Sequence, residues 1–361
     1  MKKTFLFIAI IACCTVAPSY AQQNIRYVDA AELLMIGKAK VTDTLYHRIS
    51  ASDTRAMPDA IKRLAKRSAG IAILFETNST SIRAKWKLHE EVYRANMTPA
   101  AHSGLDLYCL RNGKWQFIRV ALPDKGNSQL QVIVERMDST LKQFMLYLPL
   151  YNTVDSLQIG IDNNAIIRSP ATPAIDTSKR VVIYGSSIVQ GASASRPGMA
   201  YPAILQRQFG YDFINLGFSG SAKMEPALAE YLATVRADCF VLDCIPNPTP
   251  QQIEERSYPF IKYLLTHRPE VPIIIVETVF RENAHWDQRL GERVRAQNKA
   301  IRQTWEQLKK EGYKNIYYVE SSLLTGNDHE ATIDGVHLTD LGFSRMAAAL
   351  QPVIKKALQK K

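Results

Sequence analysis

The second half of the sequence alternates short apolar runs with longer segments of helical pattern. The apolar runs are Val181–Tyr184, Phe213–Leu216, Phe240–Leu242, Ile273–Val276 and Ile316–Val319. The helical patterns that lie between or after them include Gln251–Thr266, Arg289–Lys310 and Leu341–Leu358. Continuous apolar strands with helical crossovers predict a parallel sheet that is covered by helices on both faces. In such sheets, binding and catalytic sites lie in the loops at the carboxyl ends of the strands.

The first half has a different pattern, with short alternating segments from about Gly70 to Ile161. These segments include Ile71–Phe75, Ser81–Leu88, Trp115–Ala121 and Phe144–Leu150. Turn signals such as Asn112-Gly113 and Asp124-Lys125-Gly126 separate such runs. A two-residue period with frequent turns predicts an antiparallel β-sandwich, and Asn-Gly between two strands predicts a hairpin.

A stretch with two prolines, Arg168-Ser169-Pro170-Ala171-Thr172-Pro173, separates the two patterns. Proline disfavours both helix interiors and central strands, so we interpret this stretch as an interdomain linker. The predicted organisation is an export signal over residues 1–21, a β-sandwich domain over 22–168, a linker over 169–178 and an α/β domain over 179–361.

The first 21 residues have the pattern of an export signal. Lys2 and Lys3 precede the apolar run Phe5–Ala12, which is too short to span a bilayer. Ser19-Tyr20-Ala21 supplies small residues at the cleavage positions. We therefore expect a periplasmic or secreted protein that is cleaved near Ala21 and has no transmembrane segment. The alternative is a lipoprotein that is processed at Cys13.

Composition, charge and the absence of certain motifs limit the expected class of protein and its expected ligands. Hydrophobic residues make up 46% and charged residues 22% of the 361 residues, which favours a globular chain with a sizeable core. The net charge of +11 is dispersed along the sequence, so we do not expect nucleic acid as a partner. Because there is no CxxC, HExxH or P-loop motif, we predict neither a metal site nor a cofactor.

Loops after the first three predicted strands carry serine, glycine and asparagine. The first loop is Tyr184-Gly185-Ser186-Ser187-Ile188, in which a hydroxyl can either cap a helix or, beside a base, act as a nucleophile. The second loop is Asn215-Leu216-Gly217-Phe218-Ser219-Gly220, whose glycines allow close approach to a ligand. The third is Asp243-Cys244-Ile245-Pro246-Asn247, whose last amide can donate to an oxyanion.

A fourth loop, Asp334-Gly335-Val336-His337-Leu338-Thr339, precedes the last predicted helix. Asp and His at this spacing can place a carboxylate against an imidazole, which fixes the tautomer and leaves the other nitrogen as a general base. No other histidine has a comparable setting. His285 and His329 lie in loops of the same half and are expected at most to contact substrate.

Taken together, these loops resemble the conserved blocks of the SGNH (GDSL-type) hydrolase superfamily. The resemblance implies a flavodoxin-like parallel sheet, Ser187 as nucleophile, and Asp334 and His337 as its acid–base partners. It also implies an oxyanion hole made of the Ser187 N–H, Gly220 and Asn247. The sequence departs from the family where Ser186 replaces an Asp before the nucleophile and where Asp243–Asn247 replaces Gly-x-Asn-Asp.

A short motif in the first half of the chain also resembles that of a known domain. Gly104-Leu105-Asp106-Leu107-Tyr108 is similar to the G-x-D-L-Y motif of a domain that precedes one bacterial subgroup of this superfamily. The two resemblances imply an exported serine esterase that hydrolyses O-acyl esters, with O-acetyl groups on carbohydrates as the expected substrate and no cofactor. Two alternatives stay open: a glycan-binding protein whose hydrolase half is catalytically idle, and a lipase or acylhydrolase that acts on lipid esters.

Overall fold

A computed structural model describes residues 24–92 and 94–359. The predicted export signal and the alternative lipidation site at Cys13 lie outside the described residues, so both stay predictions. Within the described part of the chain, no helix combines the length and the apolar character that a membrane crossing requires.

The first half forms two antiparallel sheets from ten strands and carries two short helices. The strands are β1 (Ile25–Asp29), β2 (Leu34–Ile36), β3 (Ala72–Thr77), β4 (Ile82–Leu88), β5 (Leu105–Arg111), β6 (Lys114–Ala121), β7 (Ser128–Val134), β8 (Lys142–Tyr147), β9 (Val154–Asp162) and β10 (Ile167–Arg168). The helices are α1 (Asp59–Ala65) and α2 (Pro99–Ser103). One sheet has the order β1-β9-β4-β7, and the other has the order β10-β3-β8-β5-β6, with β2 also paired to β3.

These two sheets enclose one apolar core, to which both contribute buried side chains such as Phe75, Trp86 and Phe144. The predicted β-sandwich is therefore confirmed. The predicted hairpin is also present, because Asn112 (φ 52°) and Gly113 (φ 71°) join β5 to β6 with the left-handed backbone that a tight hairpin turn requires.

The second half alternates strands and helices around a five-stranded parallel sheet. Its elements are β11 (Asp176–Gly185), α3 (Ser187–Gln190), α4 (Tyr201–Phe209), β12 (Tyr211–Gly217), α5 (Pro226–Ala233), β13 (Cys239–Asp243), α6 (Pro250–His267), β14 (Ile273–Val276), α7 (Gln288–Lys310), β15 (Ile316–Val319) and α8 (Asp340–Gln359). The strand order is β12-β11-β13-β14-β15, the flavodoxin-like order.

Successive residues of the inner strand β11 point into different apolar clusters. Val182 and Tyr184 belong to one buried cluster, and Val181 and Ile183 belong to another. Each face of the sheet is thus covered, which explains why the strands are apolar along their whole length and confirms the predicted α/β architecture.

The two halves share apolar cores. Ile61 and Leu64 of α1 belong to the same buried cluster as Leu216 of β12, although α1 precedes most of the sandwich in sequence. Tyr147 of β8 belongs to a further cluster with Ala203 of α4. The sandwich therefore packs against the parallel sheet and its helices, and the contacts include the end of the sheet where β11 and β12 finish.

Candidate active site

The loops after β11, β12 and β13 diverge from one level of the parallel sheet. Gly185 of β11 is in register with Gly217 of β12 on one side and with Asp243 of β13 on the other. The Phe218 N–H donates to the Gly185 carbonyl at 2.8 Å, and the Ser186 N–H donates to the Asp243 carbonyl at 3.1 Å. A Cβ on Gly185 would collide with that Asp243 carbonyl, so this close approach requires glycine.

The two serines of the first loop have separate roles. Ser186 is buried, and its hydroxyl accepts from the Ile188 N–H at 3.2 Å, so it caps α3. Ser187 is the first residue of α3 and is partly exposed, and its own N–H has no partner within the helix. Ser187 Oγ lies 3.1 Å from His337 Nε2. Ser186 therefore provides the cap that the Asp of the family pattern could also provide.

His337 is paired with Asp334 on its other side. His337 Nδ1 lies 2.8 Å from Asp334 Oδ2, while Asp334 Oδ1 accepts from the His337 N–H at 2.7 Å and from the Val336 N–H at 3.0 Å. Partial burial disfavours the charge on Asp334, but the hydrogen bonds from His337 and Asn96 outweigh it and lower the pKa of Asp334 to about 2. An ionised Asp334 keeps the proton on Nδ1, which leaves Nε2 to accept from Ser187.

A side chain from the first half also contacts this pair. Asn96 Nδ2 donates to Asp334 Oδ2 at 3.1 Å and lies 3.3 Å from His337 Nδ1. The Ser193 hydroxyl donates to the Asn96 carbonyl at 2.7 Å and so ties this segment to the loop that follows α3. Asn96 is not among the predicted site residues, because it lies in the other half of the chain and belongs to no motif.

Gly220 lies in the loop after β12, beside α3. The neighbouring Ser219 N–H donates to Gln190 Oε1 at 3.1 Å, which ties this loop to the helix that begins at Ser187. Gly220 is exposed and has φ +72°, a backbone conformation that favours glycine. The structure thus brings Gly220 near α3, and its assignment as an oxyanion donor stays a prediction.

Asn247, in the loop after β13, contacts the same second loop. Its amide oxygen is placed to accept from the Ala222 N–H at 3.1 Å and from the Ser221 N–H at 3.3 Å. This arrangement leaves the NH₂ end of the amide as the available donor. The segment Asp243–Asn247 departs from the family pattern. It nevertheless brings an amide to the loops that adjoin Ser187.

A buried arginine from the first half supports the strand that leads into the second loop. Arg48 is only 1% exposed and donates from Nη1 to the carbonyls of Asn215 at 3.0 Å and Gly217 at 2.7 Å. Its Nη2 donates to the Leu64 carbonyl at 2.7 Å. Burial lowers the pKa of Arg48 to about 9. Sequence analysis did not single out this residue either.

The Gly-x-Asp-Leu-Tyr motif joins the two halves. Asp106 is fully buried, and its Oδ2 accepts from Arg196 at 2.9 Å and from the Gly198 N–H at 2.8 Å. Arg196 also contacts the Tyr108 hydroxyl, so Asp106 and Tyr108 lie on one face of β5, as their spacing predicts. Burial raises the pKa of Asp106, although the contact with Arg196 opposes the shift. The motif thus holds the segment that follows α3.

Comparison with known proteins identifies the family of this chain. Residues 178–355 match the model of the GDSL-like lipase/acylhydrolase family, and residues 25–167 match the model of the GxDLY N-terminus of SGNH hydrolase-type esterases. A crystal structure described as a GDSL-like lipase from Bacteroides ovatus is 47% identical, with a TM-score of 0.90 over 94% of this chain and 99% of that one. The chain belongs to the GDSL-like lipase/acylhydrolase family, which makes it a hydrolase of the esterase class.

More distant structures share the fold. The salicylyl-acyltransferase SsfX3 from a tetracycline biosynthetic pathway is 16% identical, with a TM-score of 0.74 over 92% of this chain and 97% of that one. A family two carbohydrate esterase from Cellvibrio japonicus is 12% identical, with a TM-score of 0.62 over 93% of this chain and 98% of that one. No curated protein matches the sequence.

Proposed function

We propose that this protein is a serine esterase that hydrolyses O-acetyl esters on carbohydrates. The observation that carries the proposal is the chain of contacts from Ser187 Oγ to His337 Nε2 at 3.1 Å and from His337 Nδ1 to Asp334 Oδ2 at 2.8 Å. In a family of hydrolases and esterases, this arrangement supplies a nucleophile, a general base and the carboxylate that orients the base.

The proposed reaction has two acyl-transfer steps. In the first, His337 Nε2 takes the Ser187 hydroxyl proton while Ser187 Oγ attacks the ester carbonyl carbon. His337 then gives that proton to the leaving alcohol oxygen, and the acyl group remains on Ser187. In the second step, water gives a proton to His337 as it attacks the acyl carbon. His337 then returns that proton to Ser187 Oγ as the bond between Oγ and the acyl carbon breaks and the acid leaves. A general base in this position contributes about 10²- to 10⁴-fold to the rate.

The oxyanion of each tetrahedral intermediate is assigned to three donors. These are the Ser187 N–H, the Gly220 N–H and the Asn247 amide, which lie on three adjoining loops of one sheet edge. Each such donor stabilises the transition state by about 2.7–4 kcal/mol. Because the negative charge develops only during the reaction, these donors favour turnover more than substrate binding.

Two observations support a carbohydrate as the alcohol part of the ester. Trp286 is 89% exposed and follows the 3₁₀ turn Glu282–His285, and a side chain at Gly335 of the catalytic loop would come within 3.3 Å of Asn283 in that turn. An exposed aromatic ring that directly follows a turn near the Asp334–His337 loop suits packing against the apolar face of a sugar. The fold shared with a carbohydrate esterase points the same way, as an analogy of fold.

The test is a comparison of substrates with the purified chain. We expect release of acetate from acetylated xylan oligosaccharides and little hydrolysis of long-chain acyl esters. Hydrolysis of long-chain esters alone would instead support the lipase alternative. Absence of a fluorophosphonate adduct on Ser187, together with retained glycan binding, would support the catalytically idle alternative.

We also propose export of this protein to the periplasm or the exterior. The composition of residues 1–21 supports this, with two lysines before an apolar run. A mass measurement of the mature N-terminus tests the proposal. Cleavage after Ala21 leaves Gln22 as the first residue, whereas lipoprotein processing leaves a modified Cys13.

A further inference from the structure

Two histidines and a glutamate face one another beside the catalytic loop. Glu282 and His285 lie in the 3₁₀ turn that follows β14, and His329 lies between β15 and α8. One ligand atom from each side chain lies within 4.8 Å of those of the other two. His329 Nδ1 is 2.9 Å from Glu282 Oε2, and the rings of His285 and His329 meet edge to face with centroids 5.1 Å apart.

We propose that Glu282, His285 and His329 bind a divalent transition-metal ion, with Zn²⁺ as the best match. Two imidazole nitrogens and one carboxylate oxygen form a donor set that zinc accepts, with a fourth position left for water. Tetrahedral zinc ligands are about 3.4 Å apart for bonds of about 2.0–2.1 Å. His329 is exposed, so rotation of its side chain can close the remaining gap.

The surroundings of the cluster favour a cation. Arg281, which precedes Glu282, donates to the Pro246 carbonyl at 2.9 Å, and Arg345 pairs with both oxygens of Asp328, which precedes His329. The ring of Phe280 packs against His285 with centroids 4.7 Å apart, which restricts the orientation of that imidazole. Glu282 is partly buried, with 21% of its side chain exposed.

The position of the cluster indicates what the ion would do. It would join the turn after β14 to the loop that runs from β15 to the catalytic Asp334 and His337. That same turn already contacts the catalytic loop, because Asn283 lies against Gly335. A bound ion would therefore hold the two loops together as a structural link. This inference goes beyond the proposed esterase function and does not depend on it.

The test is titration of the purified, chelator-treated full chain with Zn²⁺ in a calorimeter. We expect binding of one ion per chain and a rise in the melting temperature on addition of Zn²⁺. His285→Ala and His329→Ala should each weaken binding by at least about 10- to 100-fold, the loss that even outer partners of metal ligands cause. Both variants should lose the rise in melting temperature.

His89→Ala is the matched control. His89 contacts Asp155 at 3.2 Å and, like His329, has 63% of its side chain exposed, but it belongs to no such cluster among the described residues. It should bind Zn²⁺ as the unchanged chain does. Glu282→Gln removes the carboxylate at similar size and provides a second variant if a histidine variant unfolds. The proposal is overturned if the chain fails to bind Zn²⁺, or if Glu282→Gln and the folded histidine variants bind it with unchanged affinity.

Discussion

The loop proposed to carry the nucleophile, Ser187, and the loop proposed to carry the acid–base pair, Asp334 and His337, are held in different ways. Ser187 lies between buried neighbours, and its loop is fixed by the Ser186 cap and by the backbone of β13. Asp334 and His337 lie in a loop that is partly exposed and that receives a side chain from the other half, Asn96. The Ser187 turn is therefore held by hydrogen bonds from within the second half, whereas the orientation of the Asp334–His337 pair also depends on a side chain of the first half.

The largest effect is expected from removal of the nucleophile. Ser187→Ala should lower turnover of a short aryl ester by about 10⁴- to 10⁶-fold, because no hydroxyl remains to carry the acyl group. Stability should stay within about 0.5 kcal/mol, since Ser187 is partly exposed. Initial rates and chemical denaturation measure the two quantities.

The adjacent serine provides the control for this experiment. Ser186→Ala should keep turnover but lose about 1 kcal/mol of stability with the helix cap. Undiminished turnover in the folded Ser187→Ala protein would show that the nucleophile is assigned wrongly. Equal loss of turnover in both variants would show that the turn itself, rather than the Ser187 hydroxyl, determines the rate.

The Asp334–His337 loop and the end of β13, which adjoins the Ser187 loop, also differ in the charge of their carboxyl groups. Asp334 has a lowered pKa, whereas Asp243, which ends β13, is completely buried, and burial raises its pKa to about 8 in spite of the hydrogen bond from Tyr201 at 3.0 Å. Between about pH 4 and 8 the folded chain thus keeps a proton on Asp243 that the unfolded chain releases. Stability should fall as pH rises through this range, by up to about 1.4 kcal/mol per pH unit from this group.

Asp243→Asn tests this contribution. The amide has the shape of the protonated acid and can still accept from Tyr201, but it does not titrate. From pH 5 to pH 8, the unfolding free energy of the variant should therefore rise relative to that of the unchanged chain. Denaturation with urea at several pH values measures it. A constant difference across this range would contradict a protonated Asp243 in the folded chain.

Removal of one oxyanion donor should have a smaller effect. Asn247→Ala should lower kcat by about 10²- to 10³-fold with little change in KM, since the donor acts on charge that develops in the transition state. Asn164→Ala, on the exposed surface of the sandwich, is the control for the substitution. A raised KM with unchanged kcat would instead place Asn247 in ground-state substrate binding.

Much of the fold could be predicted because its signals are local. Buried parallel strands are apolar along their length, so the runs Val181–Tyr184 and Ile273–Val276 fall within or coincide with β11 and β14. The helical pattern Gln251–Thr266 begins one residue after the start of α6 and stops one residue before its end. Thr249 caps this helix. The Asn112-Gly113 turn likewise needs only two residues to specify its backbone.

The residues that sequence analysis missed act through tertiary contacts. Arg48 and Asn96 lie in irregular segments of the first half, and each contacts groups that are distant in sequence, such as Gly217 and Asp334. The packing of α1 against the second half is missed for the same reason, since a short amphipathic helix does not specify which sheet it covers. The hydrophobic pattern of a helix or strand indicates which of its sides is buried. It does not indicate which other element packs against that side.

The smallest effect, and the sharpest test of the contrast between the loops, concerns Asn96. Asn96→Ala removes one hydrogen bond to Asp334, so kcat/KM should fall by about 2- to 10-fold, the equivalent of 0.5–1.5 kcal/mol. The loss should be larger near pH 4 than at pH 7, because Asn96 is among the groups that lower the pKa of Asp334. Ser193→Ala loosens the same segment without removing the amide that contacts Asp334. If Ser193→Ala reproduces the full pH effect, docking of the segment rather than the Asn96 amide orients the acid–base pair.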